Sequence, residues 1–199
     1  MSELFSKEEF LDIFNENVEF ARQSIAKIEA PQLDAMLIIE TSEGDPVLVD
    51  MSMGFQEGFD RQESMFQVGR AMFDKKILPI FITLVSEVWY SDSPMLDPDT
   101  NEPLLRPSQD PLRREAIAIT TMSVDMQCRM AAFDIIRDSN NNVHMGEDSL
   151  SRFDHFSEAA DRDEADFKAP IMEAFFIGYA SAMVQARQHE MPSEDVWKA

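Results

Sequence analysis

Glu87 lies near the end of the apolar run PIFITLVSEVWYSD, residues 79–92, and is the acid in this chain best placed for chemistry. A two-residue period puts Phe81, Thr83, Val85, Glu87 and Trp89 on one face of a strand, with Ile80, Ile82, Leu84, Ser86 and Val88 on the other. Both faces are apolar up to Ser86, so the strand is expected to be central and covered on both sides. A carboxylate lodged there needs an ion pair, hydrogen bonds or a proton, because an isolated buried charge is very costly. Arg113, Arg114, Arg129 and Arg137 fall at or near segments expected as neighbouring strands, so an ion pair at the strand end is the first expectation. The competing one is a pocket where Glu87, Trp89, Tyr90 and Arg114 meet the segment 91–112. It would bind a small molecule or act as a hydrolase, with Glu87 as acid, base or cation ligand.

Other chemistries find less support. His144, Glu147 and Asp148 stand together in HMGED, but no second histidine is near, and zinc takes three or four ligands at characteristic spacing. DPDTNE and DSNNNV begin like calcium loops, yet Glu102 and Val143 stand where the sharp glycine turn belongs. Ser108 and Ser149 stand where the bidentate glutamate belongs. No nucleophile elbow, Walker loop or dinucleotide fingerprint is present, and six glycines leave little for a phosphate cradle. Cys128 reads as a buried, inert thiol. No cofactor and no metal are expected.

Charge sets the class of partner. Against 17 Lys and Arg stand 38 Asp and Glu, a formal net charge of −21. Such a surface repels phosphate backbones and anionic lipid, so neither nucleic acid nor a membrane is expected as partner; a basic protein is. The same charge could mimic DNA toward a protein that binds it. One cysteine cannot close an internal disulfide. The start of the chain lacks the apolar run of a signal peptide, and residues 169–186 fall short of a membrane span. A cytoplasmic protein is expected.

The elements that must position these residues follow from pattern. Ser6 and Glu9 form a capping box before Phe10, Phe14, Val18, Ala21 and Ile25, an amphipathic helix that ends by Pro31. Residues 33–51 read as a hairpin turning at 42–45. A second helix begins near Asp60, two strands occupy 114–138, and a short strand follows at 143–145. Five prolines mark 91–112 as a long irregular loop, and 154–166 is an acidic helix or linker.

The last helix, 170–189, repeats Ala174, Gly178, Ala182 and Ala186 every four residues. That flat face allows close backbone approach, either within the chain or to a second copy in a homodimer. The stretch VSEVWYS followed by PLRREAIAITTMSVDMQCRMAAFDIIRD resembles a group of bacterial proteins of unassigned activity. Its members share a strand ending S-E-x-W, then an R-x-E strand and a strand ending R-D. The matching residues are Ser86, Glu87, Trp89, Arg114 or Arg113, Glu115, Arg137 and Asp138. The resemblance implies an α+β fold and brings no activity.

The expected architecture is therefore one α+β domain over residues 1–199. It has a mixed or mostly antiparallel sheet of about five strands, with N-terminal, middle and C-terminal helices packed on it. Its expected role is that of a non-enzymatic interaction or regulatory protein.

Overall fold

A computed structural model describes residues 4–27, 35–42, 44–56, 59–91, 100, 105, 109–139, 142–150, 153–157 and 169–190, the side chains of the last span through 188. Most of the proline-rich segment and the acidic segment beyond residue 157 lie outside these.

Helix α1 (Lys7–Ile25) starts as its first residues dictate. The Ser6 hydroxyl accepts the Glu9 N–H at 3.2 Å and the Glu9 carboxylate accepts the Ser6 N–H at 2.8 Å, satisfying two otherwise unpaired donors. Strands β1 (Met36–Thr41) and β2 (Gly44–Asp50) form the hairpin. Gly44 turns it with φ of +149°, a conformation side chains resist. Helix α2 (Arg61–Asp74) is capped by Asp60, whose carboxylate accepts the N–H groups of Gln62 and Glu63.

Strands β3 (Pro79–Tyr90), β4 (Arg114–Ser123), β5 (Cys128–Arg137), β6 (Val143–Ser149) and β7 (His155–Ser157) precede helix α3 (Pro170–Glu190). The sheet runs β2-β1-β3-β4-β5-β6, every pairing antiparallel, with β7 also on β5. Since β2 and β3 both oppose β1, they run parallel to each other, and α2 carries the chain across.

The fold is α+β, and among the described residues the sheet has seven strands where about five were expected. Strand β6 runs past residue 145 through Gly146 and three polar residues because pairing with β5 holds it. Strand β7 forms in a stretch whose composition reads as helix or linker. There Phe156 stacks edge-on against Phe10 and carries Lys7 over its ring, and tertiary contact overrides local preference.

Strand β3 is central, as its two apolar faces require. Phe81 and Val85 join Phe10, Phe14, Val18, Ala21 and Ile25 beneath α1. Ile82 and Leu84 join Met65, Met72, Met172 and Phe175 beneath α2 and α3. A Cβ on Gly69 would stand 2.0 Å from the Phe175 carbonyl oxygen, and one on Gly178 would stand 2.1 Å from that of Phe66. The two helices therefore cross backbone to backbone, and α2 of the same chain takes the Gly178 face of α3. On the far side of α3, Ile177 and Val184 are 56% and 50% exposed. Among the described residues, no helix is long and apolar enough to cross a membrane.

Candidate functional site

At the end of the sheet where β3 stops and β4 begins, an open cleft of about 580 Å³ is lined by Trp89, Pro111, Arg113, Arg114, Glu115, Asp134, Ile135 and Arg137. Its floor follows from register. Trp89 lies directly opposite Glu115, and the β4–β5 pairing of Ala116 with Asp134 brings Ile135 and Arg137 alongside. The Arg137 guanidinium donates to the Glu115 carboxylate at 2.7 Å. Side chains alternate in direction along a strand, so Trp89, Glu115 and Arg137 share one face, the face α1 covers farther along.

Tyr90, Arg114 and Asp134 alternate to the other face. The Tyr90 hydroxyl donates to one oxygen of Asp134, and the Arg114 guanidinium donates to the other at 2.9 Å. Arg114 also lies over the Tyr90 ring, which packs edge-on against Phe153 in a small third core with Ala116 and Ala132. This bidentate use of Asp134 fixes the spacing of β3, β4 and β5 at their ends.

Arg113 differs from its neighbours. Its guanidinium stacks over the half-exposed Trp89 ring, 4.8 Å from the centroid. No carboxylate among the described residues lies within ion-pair distance of it. A turn presents it: the buried Asp110 accepts the Leu112 N–H through its carboxylate at 2.8 Å and the Arg113 N–H through its carbonyl at 3.1 Å. Arg129, by contrast, is fully engaged. Both oxygens of Asp154 accept from it at 3.1 Å, the Ser149 hydroxyl donates to the same acid, and the guanidinium covers Phe14. Burial alone would raise the Asp154 carboxyl, but hydrogen bonds from Arg129 and Ser149 and the nearby positive charge outweigh it and hold the group low.

Of the residues singled out from sequence, Trp89 and Arg114 line the cleft. Tyr90 braces it from the other face through Asp134. Glu87 is half-buried opposite Ile117 and is not among the lining residues. Pro111, Asp134 and Ile135 belong to the cleft without having been singled out. Counting outward from the turn between β4 and β5 brings Arg137 level with the start of β4, and that register is the signal that could have found the cluster. Among the described residues, no three His, Cys, Asp or Glu side chains gather as a metal site would require. His144 lies 3.7 Å from Asp138, whose carboxylate also caps the Asn142 turn. Cys128 is buried in the core beneath α2 and α3.

No protein-family model, curated protein or solved structure matches the chain.

Proposed function

We propose that this chain is a binding protein whose Trp89 cleft takes a small organic anion. A planar group of the ligand lies on Trp89, and its carboxylate or phosphate is gripped by Arg113 with help from Arg137. The observation that carries this reading is Arg113: in a chain of net charge −21, it stacks on a half-exposed tryptophan with no acid beside it among the described residues. A guanidinium fork matches carboxylate and phosphate oxygens two at a time, and an aromatic wall with a few converging polar groups is how small ligands are held. Glu115 and Asp134 are each occupied by an arginine, so an anion competes for guanidinium donors instead of meeting bare carboxylates.

Fluorescence tests this directly. In a Trp197→Phe background Trp89 is the sole tryptophan. Benzoate is expected to quench it saturably, while benzylamine of the same size does not. Arg113→Ala is expected to weaken benzoate roughly tenfold, the worth of one charge-assisted contact. Equal response to benzoate and benzylamine, or no saturable response to either, overturns the reading.

A second reading is favoured by α1, where Glu8, Asp12, Glu16 and Glu19 form one exposed stripe with Glu9 beside it. Such a row suits a basic protein partner, including one that otherwise holds nucleic-acid phosphates. Binding of this face to polylysine should fall steeply with salt and be lost in a Glu8→Lys, Asp12→Lys, Glu16→Lys variant. Binding unchanged by that variant removes the reading.

A further inference from the structure

We propose that two copies of this chain associate through the outward face of α3, the helices crossing antiparallel with Ala180 of each at a two-fold axis. The face is apolar where it should be wet. Ile177, Ala180 and Val184 are exposed and lie along one line, three and four residues apart.

Extending that line reaches Glu173 at one end and Arg187 at the other. At about 100° per residue, positions 173, 177, 180, 184 and 187 fall within an arc of roughly 80° and span about 21 Å. The order along it is acid, apolar, small, apolar, base. Turned about Ala180, this row is its own complement: Ile177 of one copy meets Val184 of the other, and Glu173 meets Arg187, twice over. A self-complementary patch is what an isologous two-fold interface requires. A carboxylate accepts from more than one donor, so Glu173 can receive the incoming guanidinium beside its existing interaction.

Charge says why the occupant is a second copy and why this face is chosen. Over most of a −21 molecule, like copies repel. The outward side of α1 carries Lys7 and Arg22 against Glu8, Glu9, Asp12, Glu16 and Glu19. The helical layer on the opposite side of the sheet is balanced. There α2 has Arg61 and Arg70 against Glu63 and Asp74, and the described side chains of α3 have Arg187 against Glu173. Among the described side chains, these helices present no net like charge to an approaching copy. The Gly178 face, the other candidate for close approach, is already filled by α2. This proposal is independent of the Trp89 cleft, which lies at the end of the sheet.

Sedimentation equilibrium on the full chain tests it. The expected species is twice the 22.8 kDa chain. Ile177→Asp with Val184→Asp should raise the dissociation constant at least about 30-fold, the effect of losing central interface contacts. Glu173→Arg and Arg187→Glu should each weaken association roughly tenfold by opposing like charges, and the two together should restore it. Ile177, Val184 and Arg187 are exposed and Glu173 is half-buried, and far-ultraviolet circular dichroism checks that each variant stays folded.

A chain that remains monomeric at roughly 0.1 mM, well above the micromolar range of a specific interface, overturns the proposal. So does a dimer indifferent to the two aspartates, or a double charge exchange that fails to rescue.

Discussion

The two faces of the sheet are covered by opposite strategies. On one face, among the described residues, a single helix, α1, lies over Phe81, Val85, Ile117 and Ile119, and its position is fixed by polar stitches within the apolar layer. The buried Asn17 amide donates to the Thr83 hydroxyl at 3.1 Å, and that hydroxyl shares a 2.8 Å hydrogen bond with Thr121, its partner across β3 and β4. At the other end of α1, the Asp125 carboxylate accepts the N–H groups of Leu4 and Phe5, while the Gln127 amide donates to the Phe5 carbonyl at 2.7 Å.

On the opposite face α2 and α3 are held to each other by backbone contact at Gly69 and Gly178, with the methionines and Phe175 filling the space beneath. Apolar packing is non-directional, so a lone helix on a flat sheet needs directional bonds to choose its register. A pair of helices whose glycines interlock has its register chosen by shape. The outer surfaces diverge accordingly: acidic and repulsive over α1, balanced and partly apolar over α3.

The sharpest way to break this contrast is at the glycines. Gly178→Ala, and likewise Gly69→Ala, drives a methyl into a backbone carbonyl that no rotamer change relieves. Each should destabilise by about 3 kcal/mol in urea unfolding, the upper part of the overpacking range. A cost near zero would mean the helices are not held by close approach.

Asn17→Ala should cost about 2 kcal/mol, because it takes a donor from the buried Thr83 hydroxyl and from the Glu40 carboxylate and leaves a void beneath α1. Asn17→Leu with Thr83→Val and Thr121→Val should recover part of that loss, since removing all three linked side-chain partners leaves none of these hydroxyls unsatisfied. Failure to recover would show that Asn17 acts through packing alone.

Asp125→Ala should cost about 1 kcal/mol at neutral pH. Burial pushes the Asp125 carboxyl up, but hydrogen bonds from Ser123, the Leu4 N–H, Gln127 and the Phe5 N–H more than compensate and hold it below the usual range. A depressed folded value contributes stability above the unfolded pKa of about 3.9, lost as pH falls through the folded one. The gap between wild type and Asp125→Ala should therefore close in acid.

The smallest effect is at Glu40. Burial raises its carboxyl despite a hydrogen bond from Asn17, with Glu16 adding repulsion. A raised folded value contributes stability below the unfolded pKa of about 4.3, lost as pH rises through the folded one. Glu40→Gln should thus stabilise slightly at neutral pH, by no more than about 0.5 kcal/mol once solvent screening is allowed for. A loss there would contradict the assignment.

Much of this frame was legible from residues alone. Ser6 and Glu9 announced α1, the 42–45 turn announced the hairpin, and the alternation through 79–90 announced a strand buried on both faces. These are local rules, satisfied by neighbours in sequence. What pattern could not supply depends on contacts across the sheet. The strand β7 exists because Phe156 finds Phe10, a contact between residues far apart in the chain. The small residues of α3 signalled close approach, but choosing α2 as the partner needed Gly69, whose meaning appears only when the two helices are laid together.

The candidate site divides in the same way. Trp89 and Arg114 were recognisable as an aromatic and a basic group at neighbouring strand ends, and both line the cleft. Period-two alternation alone could not tell that Arg113 would stack on Trp89, or that Glu115 and Arg137 would pair across strands beside it.

If the arginines at this sheet end receive an anion, their side-chain Nε resonances should report it. In a correlation spectrum of arginine-labelled protein titrated with benzoate, Arg113 should move most, with Arg137 following. Arg22 and Arg129, paired with Glu19 and Asp154 away from the cleft, should stay still. Movement of Arg129 or Arg22 equal to that of Arg113, or no movement at Arg113, would contradict the account.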